Sequence, residues 1–386
     1  MNRFMTLLGA ALWALPAYAL EIETVYLRQL TEPPKVLSNL DARPEDLGLA
    51  GAQLGLADNA TTGQFMGQNY RLSVTDVEIG GDLIAAAKDS LAQSRLLVID
   101  ASAAEMQAIA DLPEAAGALL FNATAAENEL RDGGCRANLF HTTPSRAMLA
   151  DALIQFLAQK RWANLALIAG PRPGDQAFAA ALEQSSKKFR LNLRDREDWS
   201  FDADMRRSAG AELPLFTQNL RSHDILLVAD EVGDYARYIP YNTWSARPVA
   251  GSTGLSPVAW SRVVEQWGAA QLQSRFTDQH GRPMQAGDYG AWAALRAIGE
   301  AVTRTGSADP AVLRAYMLGD QFALAGFKGR PLSFRAWNGQ LRQPIPLVTS
   351  DAAVAMAPME DFLHQGNELD TLGLDQPDSS CTAFNE

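Results

Sequence analysis

The sequence predicts an α/β fold of two Rossmann-like lobes, each a parallel sheet with helices on both faces. Three observations lead there. Short apolar runs alternate with longer segments of helical period along most of the chain. Several runs, such as Leu96–Ile99 and Ile225–Val228, lack polar alternation, as strands covered on both faces do. The alternation comes in two sets, and 386 residues exceed what one hydrophobic core usually supports.

The first set reads strand at Glu23–Leu27, helix at Pro44–Asn59, strand at Tyr70–Asp76 and helix at Asp82–Ala92. Strand Leu96–Ile99, helix Ala104–Ala110 and strand Ala118–Phe121 follow. The second set opens after His141. Thr142 or Thr143 can cap a helix over Ser145–Lys160, whose Leu149, Leu153, Phe156 and Leu157 share one face. Leu165–Ile168, Leu191–Arg196, Ile225–Val228 and Pro248–Ala250 read as strands, with helices at Gly174–Phe189, Leu215–Arg221 and Val232–Tyr238. Helices are then expected over Val258–Phe276, Asp288–Thr303 and Pro310–Leu318. A hairpin of Leu332–Trp337 and Gln343–Val348 is expected around the turn pair Asn338-Gly339. The acidic stretch from Glu360 reads as loop.

The N-terminus carries an export pattern. Arg3 is followed by an apolar stretch, Phe4 to Leu15, too short to span a bilayer; Pro16 ends it, and Ala17-Tyr18-Ala19 is an A-x-A cleavage site. Residues 1–19 are therefore expected to be a Sec-type signal peptide, cleaved after Ala19, with the mature chain in the periplasm and no membrane insertion. Thirty-three basic and 45 acidic residues give a net charge of -12, which argues against nucleic acid and anionic membrane surfaces and suits a soluble monomer. In an oxidising compartment the only two cysteines, Cys135 and Cys381, invite one disulfide that would staple the tail to the first lobe; two separate thiols are the alternative.

The order of elements resembles the type I periplasmic binding proteins of the Leu/Ile/Val-binding class. Phe121–Glu127 looks like that family's strand and loop before the first crossover. Asn138–Ser145 looks like the crossover, and Leu165–Ala169 with Gly174–Phe178 like the first unit of the second lobe. A narrower resemblance, at Gly326–Arg335, Trp337–Gln340 and Glu368–Gly373, with Arg282-Pro283-Met284 and Asp288-Tyr289, is to one subgroup. Its members are substrate-binding proteins of ABC transporters associated with pyrroloquinoline-quinone (PQQ)-dependent alcohol dehydrogenase systems. That implies a metabolic association, not that this chain binds the quinone. The family fold implies three interlobe crossovers: residues 20–140 and 257–327 in lobe one, 141–256 and 328–358 in lobe two, and 359–386 as a C-terminal tail. It also implies a small-molecule ligand held in the cleft and a membrane permease as partner.

Ligands of parallel sheets bind beyond the carboxyl ends of the strands. Ser102, Asn122, Ala123, Thr124, Asp230, Glu231 and Thr253 are the resulting ligand-binding candidates. Hydroxyls, amides and helix N-termini suit a polar head, and Asp230 and Glu231 could accept from an ammonium or hydroxyl. Ser102, Asn122 and Thr124 are equally good helix caps. By resemblance, Ala123 and Thr124 fall on the loop that holds an amino acid's carboxylate, and Ser102 near the loop supplying another hydroxyl. The match is incomplete. Ala101-Ser102-Ala103-Ala104 replaces a serine-rich loop, Asp230 and Glu231 replace an aromatic, and Ser252-Thr253-Gly254 replaces an acid. A small alcohol, acid, aldehyde or cofactor-related solute therefore fits as well as a branched-chain amino acid. Tyr238, Tyr241, Trp244 and Trp260 are candidate aromatic lining or, equally, packing.

No catalytic, metal or cofactor motif is present. The histidines at 141, 223, 280 and 364 lack metal spacing, and Gly251-Ser252-Thr253-Gly254 has the wrong spacing for a nucleophile elbow. No P-loop and no dinucleotide fingerprint occur. The expectation is a binding protein, not an enzyme, that closes on a small polar solute and delivers it to an ABC permease. A sensor or interaction protein with a degenerate cleft is the alternative.

Overall fold

The computed structural model describes residues 19–33, 43–200 and 208–385. The expected signal peptide lies outside these residues, except for Ala19.

Lobe one is a five-stranded parallel sheet in the order β2-β1-β3-β4-β5. Its strands are β1 (Leu20–Gln29), β2 (Gln68–Val77), β3 (Leu96–Asp100), β4 (Leu119–Asn122) and β5 (Leu139–His141). Helices α1 (Leu49–Met66), α2 (Leu83–Gln93) and α3 (Ala103–Ala110) connect the first four strands. Leu97 and Ile99 face a core with α2 and α3, while Val98 and Phe121 face the opposite core. That second core is shared with α1 and with helices from much later in the chain, α7 (Ala269–His280), α8 (Ala286–Thr305) and α9 (Pro310–Leu318). Helices α1 and α8 pack backbone to backbone. A side chain at Gly51 would run into the Asp288 carbonyl, and Asn59 ties the pair by donating to the Leu295 carbonyl at 2.7 Å.

Lobe two is a four-stranded parallel sheet, β7-β6-β8-β9, formed by β6 (Asn164–Ala169), β7 (Asn192–Asp198), β8 (Ile225–Ala229) and β9 (Val249–Gly251). Helices α4 (Arg146–Gln159) and α5 (Pro173–Lys188) cover one face. Helix α6 (Ala209–Thr217), Trp199 and Tyr235 cover the other. β8 is buried along its whole length, as its unbroken apolar run predicts, whereas the edge strand β7 is polar and mostly exposed.

Before the tail, the described chain passes between the lobes at three places, and the last differs from what the family resemblance implies. The first runs from β5 into α4, where Ser145 caps the helix by accepting from the Met148 amide. Thr142 does not cap, because its hydroxyl is spent on the Gly290 carbonyl at 2.8 Å. The second follows β10 (Ser256–Pro257). The expected helix over Val258–Phe276 is only α7. Residues 258–268 are mostly irregular, Trp260 stacks on Tyr289 at 4.9 Å, and Gly268 adopts φ 82° immediately before the helix.

The third crossing comes after a short hairpin, β11 (Ser333–Phe334) with β12 (Leu341–Arg342). Leu332, Phe334 and Leu341 are buried in the core of lobe one, although the sequence assigns residues 328–342 to lobe two. Beyond Gln343 the chain turns away. β13 (Ile345–Val348) pairs with β14 (Ala353–Ala357) and β10, and Ile345 and Leu347 join the core of lobe two. The longer hairpin is therefore not formed. Its two halves belong to different cores, which periodicity in a four-residue window cannot reveal.

A buried polar knot joins the first and third crossings. The Gln340 amide donates to the carbonyls of His141 (3.2 Å) and Thr143 (3.1 Å) and accepts from Arg131 at 2.8 Å. Gln343 donates to the Thr142 carbonyl (2.8 Å) and accepts from Lys328 at 2.6 Å. Arg131 also donates to the carbonyls of Ala125, Glu127 and Thr143.

The tail is not a free loop. Cys135 and Cys381 form a disulfide with both residues buried. Leu372 is packed in lobe two while Cys381 and Phe384 are packed in lobe one, so the tail is a fourth, covalently anchored strap between lobes. Arg335 and Arg342 both grip Asp370, at 2.9 and 2.7 Å.

Two outcomes test this packing. The disulfide closes a loop spanning 246 residues. Cys381→Ser, or reduction, is expected to lower unfolding free energy by roughly 2–4 kcal/mol in urea denaturation. An unchanged midpoint would mean that the strap contributes nothing. His141 is held neutral, well below the usual histidine range, by burial and by the neighbouring Arg131. The unfolded chain therefore binds a proton that the folded chain refuses. Stability should be full above about pH 6.5 and decline below it. His141→Gln should flatten that decline; a curve with the wild-type slope would assign it to other groups.

Candidate functional site

The carboxyl ends of the two sheets border a cleft of about 930 Å³. Lobe one contributes Asp100, Ala101 and Ser102 after β3 and residues Thr124 to Glu127 after β4. Lobe two contributes Arg146 and Leu149 from α4, Phe178 from α5, residues Asp230 to Val232 after β8, and Gly251 and Ser252 after β9. Strand-end placement follows from the parallel sheets, whose carboxyl ends all point to the same edge of each lobe.

Of the sequence candidates, Ser102, Thr124, Asp230 and Glu231 line this cleft. Asn122, Ala123 and Thr253 do not. Asn122 is fully buried; its side chain donates to the Ala125 carbonyl (2.8 Å), contacts His141 Nδ1 (3.1 Å), and accepts from the amides of Thr124 and Ala125. Ala123 is buried where its carbonyl meets Gly290 of α8, a spot with no room for a side chain at 290. Beside Thr253 it is Ser252 that reaches the cleft, and its hydroxyl accepts from the Asp230 amide at 2.8 Å.

The lobe-two carboxylates are already engaged. Asp230 accepts from the backbone amides of Gly233, Asp234, Tyr235 and Ala236 at 2.8–3.0 Å, which shapes the turn after β8. Glu231 receives a two-pronged contact from Arg146, with both distances 2.7 Å. Ser102 is bound into a capping box with Glu105 at the start of α3.

Arg146 and Glu127 are site residues that motif reasoning overlooked. Arg146 is the first residue of α4, where the helix dipole disfavours a cation. That misfit was the available signal. It is offset by Glu231 from lobe two and by Glu127 from lobe one at 3.1 Å, so one guanidinium joins both walls of the cleft.

Asp100 is the least committed acid. Its carboxylate accepts a long hydrogen bond from the Tyr26 hydroxyl at 3.4 Å. Burial pushes its pKa above the usual carboxylate range, and Thr124, Arg43, Arg28 and Tyr26 draw it part of the way back. The Thr124 hydroxyl is shielded from solvent and has no partner other than the neighbouring Asp100 carboxylate.

The aromatic candidates lie elsewhere. Tyr241 and Trp244 are 92% and 64% exposed, and Trp260 is buried against Tyr289. Phe178 is the aromatic residue that lines the cleft among the described residues. Among the described residues no group of three or more His, Cys, Asp or Glu is placed to hold a metal ion, and no helix is long and apolar enough to cross a membrane.

Comparison with known proteins bears on this geometry. A family profile described as "Periplasmic binding protein" matches residues 42–204. No curated protein matches the sequence significantly. Among solved structures, a branched-chain amino acid ABC transporter periplasmic ligand-binding protein from Burkholderia xenovorans is similar, with 14% identity and a TM-score of 0.72. The alignment covers 95% of this chain and 100% of that one. A branched-chain amino acid transporter protein from Rhodopseudomonas palustris aligns at 17% identity and TM-score 0.67, covering 89% and 97%. A solute-binding protein from R. palustris in complex with benzoate aligns at 12% and 0.63, covering 94% and 99%. Likeness at these identities is one of fold, and the fold is that of the type I periplasmic binding proteins.

Proposed function

We propose that the chain is exported to the periplasm and serves as the substrate-binding component of an ABC transporter. It captures a small polar solute between its lobes by hinge closure and hands it to a membrane permease. One observation carries this reading: the carboxyl ends of two parallel sheets border a cleft that the chain's own side chains leave open. Several chain passages between the lobes supply a hinge, and closure would add contacts from both walls to the guest. The neighbours of this fold that bind amino acids or benzoate support the class of activity but not the ligand.

The link to PQQ-dependent alcohol oxidation rests on the resemblance of Gly326–Arg335, Trp337–Gln340 and Glu368–Gly373, with Arg282-Pro283-Met284 and Asp288-Tyr289. In this fold those stretches clasp the tail through Arg335 and Asp370 and bury Lys328 at the hinge. They mark a lineage and leave the ligand open. The interaction-protein reading draws on a specific observation too, since Arg146 already joins the two walls.

A thermal-shift screen against amino acids, alcohols, short acids, aldehydes and PQQ separates the two readings. A ligand that binds only the native state raises its melting temperature. Solute capture predicts a clear shift for at least one of these classes. No shift across the whole panel would favour the interaction protein.

A further inference from the structure

We propose that the lobe-one wall of the cleft recognises a hydrogen-bond-donating head group, an ammonium or an alcohol hydroxyl, through the Asp100 carboxylate and the Thr124 hydroxyl. A carboxylate is refused there. This rests on the reading of the cleft as a solute site.

The first argument is where the backbone donors go. An anionic head at this wall would draw chiefly on backbone N–H groups at the strand ends. The Thr124 and Ala125 amides, which follow β4, are both taken by the Asn122 side chain, at 3.1 and 2.8 Å. The Ser102 amide, which follows β3, is taken by Glu105 at 2.9 Å. Both loops that could have cradled a carboxylate have turned their donors inward.

What remains is acceptor capacity. Asp100 has no ion-pair partner within 4 Å among the described residues; a long contact from Tyr26 and the neighbouring Thr124 hydroxyl are what meet it, with Arg43 and Arg28 acting from further off. A half-buried carboxylate left so weakly satisfied gains when a donor arrives. The adjacent Thr124 hydroxyl is out of solvent and has no partner other than neighbouring Asp100, so its lone pairs are left to accept from a ligand donor while its proton can bridge to Asp100.

Charge points the same way. The cleft is lined by Asp100, Glu105, Glu127, Asp230 and Glu231 against Arg43 and Arg146, and Arg146 is held by two of those acids. An entering anion meets a negative wall, whereas an ammonium completes a charge-assisted pair.

The test is calorimetric titration of the full exported chain with matched probes. Each set shares one carbon skeleton, with alanine-, leucine- or phenylalanine-type side chains, and presents it as the amine, the alcohol or the deaminated carboxylic acid. In at least one set the amine or alcohol should bind about tenfold or more tightly than the acid. The amine–alcohol comparison then tells ammonium from hydroxyl. Asp100→Asn should weaken that binding by about tenfold, and Thr124→Val by several-fold. Asp100→Asn should also leave the unliganded protein at least as resistant to urea at pH 7, since it removes a carboxylate that burial disfavours. Lost affinity would then not be lost folding. A carboxylic acid binding tightest, or an asparagine variant holding the amine as well as wild type, would overturn the proposal while leaving solute capture intact. Silence from every probe and from the broader panel would remove both.

Discussion

The structure depends on a buried polar contact between two chain passages, the Gln340 amide bridging the carbonyls of His141 and Thr143 while Arg131 donates to its oxygen. Backbone crossing from one core to another leaves carbonyls that neither sheet pairs, and an unpaired buried carbonyl is costly. Gln340, Gln343 and Arg131 satisfy these groups from side chains. Thr142 extends the same network to α8 by donating to Gly290. Lobes that would otherwise be joined by loose linkers are held by a network whose members each have partners, which makes it rigid and specific.

That rigidity shapes the cleft. Because Asn122 and His141 are packed into the knot's lobe-one side, the loop after β4 is fixed and its amides are consumed. On lobe two, Asp230 shapes its own turn and Glu231 holds Arg146. Asp100 and Thr124 are the cleft-lining side chains that this network engages least. The scaffold thus decides chemistry as well as placement.

Much of the fold was legible because strands buried on both faces leave unbroken apolar runs. Leu96–Ile99 and Ile225–Val228 announce β3 and β8, and the three- and four-residue spacing of Trp292, Leu295, Ile298 and Val302 announces α8. The hairpin differs from expectation because Leu332, Phe334 and Leu341 serve lobe one while Ile345 and Leu347 serve lobe two, and short apolar positions do not say which core they join. β5, three residues long, was too short for any period. The site was legible by position and not by role. Strand ends placed Thr124, Asp230 and Glu231 on the cleft. That Asp230 would fold back on four amides, or that Arg146 would draw in Glu231, depends on contacts no spacing encodes.

The tail adds a constraint of a different kind. It leaves lobe two at Leu372, reaches lobe one at Phe384 and is locked by Cys135–Cys381, so any opening of the cleft must move within its reach. Crossings and strap tie the two lobes together at one side, and the buried network there is expected to be the stable centre. Hydrogen–deuterium exchange tests this most directly. The amides of residues 141–143 and 339–343 should exchange among the slowest in the protein, with opening energies approaching that of global unfolding. Exchange there as fast as in surface loops such as 241–247 would contradict the account.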